Sequence, residues 1–194
     1  MALLVVGGQS KHVGKTTLIC NLVRRFSDVR WIAVKFSSHE HKPEHCKLVA
    51  RGSGWSIWEQ LPNFRVGDTA RFLQAGASRS LLVIAEKEDS FAQGFSRLQQ
   101  EFGSRGDVIV ESSRAALHMK PDLSLLVVDA SDKEFKASAK SHLQIADALV
   151  VRRASDDAGV SHMEIPIFCS LPDSVDDALA SLVSKTVAKN SRAI

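Results

Sequence analysis

The stretch "LLVVGGQSKHVGKTTLICNLVRRF", residues 3–26, constrains the chain most, because it dictates three kinds of backbone in succession. An apolar strand leads into a turn bracketed by glycines, and the turn opens an amphipathic helix with Leu18, Leu22 and Phe26 on one face. Such a turn directs its backbone N–H groups, the unpaired amides of the helix N-terminus and the positive end of the helix dipole at one point in space. That point suits phosphate oxygens. Lys15 is placed to bridge β- and γ-phosphates, the Thr16 hydroxyl to coordinate Mg²⁺, and Thr17 to reach the α-phosphate, with Gly8, Val13 and Gly14 supplying the surrounding backbone. ATP or GTP and Mg²⁺ are the expected ligands.

The remaining apolar runs fit the same plan. "WIAVKF", "SLLVIA", "DVIVE", "LSLLVVDA", "ALVV" and "IPIFCS" are strand-length and nearly continuous, as strands covered by helices on both faces must be. Between them, "SFAQGFSRLQQEF" sets Phe91, Phe95, Leu98 and Phe102 on one helical face. The expected fold class is therefore α/β: a three-layer α/β/α phosphate-loop NTPase with a mostly parallel sheet. One domain of 194 residues is expected, with 44% hydrophobic residues to fill its core. A loop-rich insertion is expected at about 37–66, where glycines, prolines and tryptophans interrupt the rhythm.

Charge and cysteine content exclude several classes. With 25 Lys and Arg against 22 Asp and Glu, no strong basic footprint marks nucleic acid or a membrane as partner. No segment supplies the ~20 apolar residues of a membrane span. Cys20, Cys46 and Cys169 are odd in number and form no C-x-x-C pair, which suits a reducing cytoplasm.

Five residues separate Gly8 from Gly14-Lys15-Thr16, one more than in the commonest phosphate loop. This spacing resembles the G-x5-G-K-[ST] loop of the dethiobiotin synthetase and cobyrinic acid amidase group, within the SIMIBI class of P-loop proteins. Three further segments, "VKFSSHEHK", "GDTARFLQAGASRSLLV" and "GDVIVESS", are similar in order and content to the molybdopterin-guanine dinucleotide biosynthesis protein B (MobB) family. The resemblance covers roughly the first 130 residues. It implies slow NTP hydrolysis, an adaptor role beside a molybdopterin nucleotidyltransferase or a molybdenum-cofactor species, and a homodimer. Lys11 lies one position from the place where that class carries a second lysine reaching across a dimer, so a solvated loop lysine is the equal alternative.

Glu111 closes a strand beside the phosphate loop, where a carboxylate can hold Mg²⁺ and orient an attacking water; Lys15 and Glu111 are the candidate catalytic pair, Thr16 and Glu111 the metal ligands. Ser112 stands where the family has glycine. Asp129 is a rival acid or a helix cap, and Asp68 and Arg71 either contact substrate or anchor a helix start. The slot in which GTP-binding relatives carry Asn-Lys-x-Asp reads "RRASDD", so guanine selectivity is not expected; Arg152 could stack on a base, with Leu171 and Pro172 packing nearby.

Two other functions compete. A carboxylate-activating ligase of the dethiobiotin synthetase type would use the same phosphate site. A metal-delivery GTPase would use His39, His41, His45 and Cys46, clustered in "SSHEHKPEHC".

Overall fold

The computed structural model describes residues 1–38, 43–102, 106–132, 134–151, 165–171 and 174–191. Its elements are β1 (Leu3–Gly8), α1 (Lys15–Arg25), β2 (Trp31–Ser37), β3 (Cys46–Gly52), β4 (Trp55–Gln60), α2 (Asp68–Ala75), β5 (Arg79–Ala85), α3 (Glu88–Phe102), β6 (Asp107–Glu111), α4 (Ala115–His118), β7 (Leu123–Val128), α5 (Ala137–Leu143), β8 (Ala148–Val151), β9 (Ile167–Leu171), β10 (Ser174–Val175) and α6 (Asp177–Ser191). The strands form one sheet in the order β10-β9-β8-β7-β1-β6-β2-β5-β4-β3. Pairing is parallel from β9 through β5. It turns antiparallel at both ends, where β4 and β3 extend one edge and β10 the other.

All seven apolar runs are strands. The segment expected to be loop-rich contains the β3–β4 hairpin, whose half-exposed strands mix polar with apolar residues in place of a continuous run. In β4 the residues Ser56, Ile57 and Trp58 step between faces, and only Ile57 of the three is buried.

Strand alternation assigns the helices to two layers. Leu4, Val6, Ala33, Ile109 and Leu125 face the layer holding α1, α2 and α6, through Leu18, Leu22, Phe72, Leu179 and Val183. Val5, Val34, Val83, Val108 and Val110 face α3 and α4, with Phe91, Phe95, Leu98 and Phe102 in that layer. Leu126, Val128 and Leu149 cover the same side against α5, through Ala139. The result is a three-layer α/β/α architecture.

β1 lies between β6 and β7, neither its neighbour in sequence: the chain leaves β1 toward β2 on one side and later crosses from β6 to β7 on the other. A crevice opens at the carboxyl ends of the strands at such a point, and the β1–α1 turn lies in it.

Candidate functional site

The turn after β1 is tight for reasons that its residues make plain. A side chain at Gly8 would bring a Cβ within 2.5 Å of Val13 Cγ1 and 2.8 Å of Lys15 Cδ, so the loop folds back over the strand end only with glycine there. Gly14, the residue before α1, has φ of 107°, a left-handed value that side chains disfavour. His12 adopts φ of 60°, which fits a turn residue. Among the described residues, no amide from Lys11 to Thr17 donates to a backbone carbonyl, and no side chain caps α1. Those donors border a cavity of about 520 Å³ whose walls include Lys11, Lys15, Thr16, Lys35, Asp68 and Glu111.

Register explains how Glu111 enters this cavity. It pairs with Val6 and Lys35 and lies two residues beyond Ile109 on the α1-facing side of β6. Only 6% exposed, it accepts a hydrogen bond from the Thr16 hydroxyl at 2.7 Å, and Lys35 Nζ lies 3.5 Å from its other oxygen. Lys35 also donates to Asp68, which Arg71 approaches to 3.6 Å. Arg71 in turn reaches the Thr17 hydroxyl at 3.3 Å. A chain of polar contacts thus runs from the first turn of α1, through the ends of β6 and β2, to the start of α2.

The charges in this chain are mutually supported. Burial acts to depress the Lys35 ammonium, but the Glu111 and Asp68 carboxylates outweigh it and hold its pKa above the ordinary value. Burial acts to raise Asp68, and the Lys35 contact, with Arg71 and Thr16, reverses that and lowers it. Lys15 is lowered, chiefly by burial, against the pull of Glu111; its ammonium donates to the Ser10 carbonyl at 3.0 Å, lying across the turn.

Several residues singled out in the sequence take other places. Gly8 shapes the turn and does not line the cavity; its amide donates to Ser113 Oγ at 2.9 Å. The Val13 side chain is buried in the core beneath α1, which leaves only its amide on the turn. Asp68 is the first residue of α2 and not its cap, which is Gly67. Asp129 accepts from Ser131 in a local turn and caps no helix, since α5 begins at Ala137. Ser112, in place of a glycine, accepts the Ala115 amide at the start of α4. Leu171 pairs with Ser174 through its backbone, whereas Arg152, Asp156 and Pro172 lie outside the described residues.

His39 and His41 also lie outside the described residues. The other two members of the histidine-cysteine cluster are engaged separately: His45 stacks on Phe64 at 3.7 Å, and the Cys46 thiol, its pKa raised by burial, contacts Gln60. Among the described residues, no three His, Cys, Asp or Glu side chains gather as a metal site would require.

Lys35 and Lys136, which line the cavity, and Gln9, which is buried behind it, carried no assigned role in the sequence. Lys35 left a signal, as a lone cation inside the apolar run "WIAVKF". Gln9 and Lys136 left none.

Neither a protein-family model nor a curated protein sequence matches this chain. Solved structures do resemble it. LpxK from Aquifex aeolicus, in complex with ATP, superposes with a TM-score of 0.54 at 20% identity over 87% of this chain. HypB from Helicobacter pylori, in complex with nickel, gives 0.57 at 17% identity over 95%. These likenesses show a shared three-layer α/β/α fold with a mostly parallel sheet. The chain spans 53% of LpxK, about half its length, and 87% of HypB. Bacillus subtilis MobB aligns over 96% of this chain and 98% of its own, at 18% identity and a TM-score of 0.48. No helix among the described residues is long and apolar enough to cross a membrane.

Proposed function

We propose that this chain binds a nucleoside triphosphate with Mg²⁺ at the β1–α1 turn, hydrolyses it slowly, and acts as an adaptor of the MobB type. One observation carries the reading: Lys15, Thr16 and Glu111 line a single cavity together with Lys11, Gly14 and Thr17, in a turn whose amides have no backbone partner among the described residues. The amides and Lys15 would hold the phosphates, and Lys15 would offset charge on the transferred phosphoryl group. Glu111, buried and already hydrogen-bonded, would fix the direction of a water attacking that group.

Thr16 and Glu111 fit Mg²⁺, because both present hard oxygens, and these lie 2.7 Å apart, as neighbouring ligands of a small cation do. When bound, the ion supplies charge neutralisation on the phosphate oxygens. The adaptor role rests on the resemblance of "VKFSSHEHK", "GDTARF" and "GDVIVESS" to the MobB family. A cytoplasmic homodimer and a partner handling a molybdopterin-type cofactor belong to the same reading.

A second reading has an observation of its own. A neighbouring cavity of about 600 Å³ shares Lys35, Ser37 and Asp68 with the phosphate cavity and extends to His45, Gln60 and Thr69. It could hold a carboxylate substrate for activation as an acyl phosphate. Calorimetric titration with Mg-ATP and Mg-GTP tests the main proposal, and absence of binding to either would refute it. Turnover that rises when carboxylic acids are added, with phosphate released only in their presence, would favour the ligase reading.

A further inference from the structure

Gln9, the first residue of the phosphate turn, has 0% of its surface exposed. Its side-chain amide is fully used. Nε2 donates to the carbonyls of Asp132 at 2.6 Å and Glu134 at 3.2 Å, and Oε1 accepts the Asp129 amide at 2.8 Å. Its backbone donates to Val127 at 2.9 Å and accepts the Lys136 amide at 3.2 Å. One residue therefore fastens the β7–α5 connection to the phosphate turn, and that connection ends at Lys136.

Lys136 lines the same cavity as Lys11, Lys15, Thr16 and Glu111, although it comes from the opposite helical layer. Lys35 and Arg71 are committed to carboxylates, and Lys15 to the Ser10 carbonyl. Among the described residues, the Lys136 ammonium has neither a hydrogen-bond nor an ion-pair partner. A cation facing Lys15 and Lys11 with no partner is unfavourable until an anion comes between them.

We propose that Lys136 binds the terminal phosphate of the bound triphosphate and that Gln9 is the positioning residue that holds it there. The inference rests on the phosphate-site reading above. The terminal phosphate is the one concerned, because Lys136 lines the same cavity as Lys15 and Glu111, the residues assigned to the transferred end of the nucleotide. Within α5, His142 is the titratable neighbour coupled to it.

The charge state of Lys136 makes the idea measurable. Loss of solvent, then Lys15 and Lys11 against Glu111, lowers its pKa to about 8. A phosphate between these cations favours the charged form, so binding above that pH takes up a proton and weakens as pH rises. Lys15, also lowered by burial, adds a decline of its own, so the comparison among variants decides the matter.

The experiment is titration of a non-hydrolysable ATP analogue and of ADP, with Mg²⁺, from pH 7 to 9.5. Lys136→Met is expected to weaken the triphosphate about tenfold or more at pH 7 and to leave ADP unchanged. Lys136→Arg should restore affinity and show a shallower decline above pH 8, because arginine does not titrate there. Gln9→Met should weaken the triphosphate selectively and add little in combination with Lys136→Met. Wild-type triphosphate affinity in Lys136→Met would overturn the inference while leaving the phosphate site intact. Equal loss of di- and triphosphate in Gln9→Met would mean a general structural role and would overturn the positioning claim. Absence of binding by the wild-type protein would overturn the phosphate-site reading and this inference with it.

Discussion

The Thr16 hydroxyl donates to Glu111 Oε2 at 2.7 Å, tying the first turn of α1 to the end of β6. The partner of Thr16 is thus a buried carboxylate whose second oxygen faces Lys35 at 3.5 Å. Glu111→Gln keeps the size but removes the charge and one of the two acceptor oxygens. Turnover should fall by about a hundredfold or more while nucleotide affinity changes little. Single-turnover phosphate release beside calorimetric titration checks this, and equal loss of both would remove Glu111 from the hydrolytic role.

Lys15→Ala takes a cation from the cavity rim and not from the core. Nucleotide binding should weaken by about 2–5 kcal/mol, and the fold should persist. Titration with ATP and GTP gives the first quantity and circular dichroism the second; unchanged affinity for both nucleotides would undo the phosphate-site assignment.

Competition between ATP and labelled GTP should show near parity. A guanine site can reject a mismatched base by up to ~10⁴-fold only when its hydrogen-bond groups are in place, and "RRASDD" lacks the Asn and Lys of the usual motif. A GTP preference above about a hundredfold, ~2.7 kcal/mol, would mean that guanine is read elsewhere.

His142 predicts an acid limb of stability. It has 0% exposed surface; its Nε2 lies 2.7 Å from Ser124 Oγ, and its Nδ1 has no hydrogen-bond partner among the described residues. Burial, then Lys136, lowers its pKa from 6.5 to about 4. The neutral ring is therefore favoured in the fold, so its contribution is full above 6.5 and is lost as pH falls toward 4. At most this amounts to ~3 kcal/mol. Urea unfolding at pH 7 and 4.5 measures it, and His142→Gln should flatten the difference.

Phe72 is fully buried on α2 against the α1-facing core. Phe72→Ala should cost about 3–5 kcal/mol and loosen the helix that carries Asp68. Denaturant midpoints would show the first effect. An effect below about 1 kcal/mol would mean that the site collapses without leaving a cavity.

Much of this was legible because parallel strands write themselves as continuous apolar runs. β1, β2, β5, β6, β7, β8 and β9 all declare themselves in that way. The β3–β4 hairpin does not, since a strand with one wet face mixes Trp, Ser and Glu with Ile, as "WSIWEQ" does. Lys15, Thr16 and Glu111 could be located because local rules act on them: a turn spacing and a strand end. Gln9 and Lys136 could not, for their relation exists only when residues 9 and 132–136 meet across the sheet. Asp68 stayed open between substrate contact and helix anchor by the same limit, because the cation that claims it lies on β2, far off in sequence.

The contacts that build the cavity span great lengths of chain. Thr16 and Glu111 are 95 residues apart, Lys35 and Glu111 76, Gly8 and Ser113 105, Gln9 and Asp132 123. Pairings of such high contact order form late, after the loop-closure entropy between them has been overcome. The β3–β4 hairpin can close from local sequence, but the cavity has no local precursor. It exists only where β1 lies between β6 and β7, so that competence for a ligand requires the central strands of the sheet to be in place.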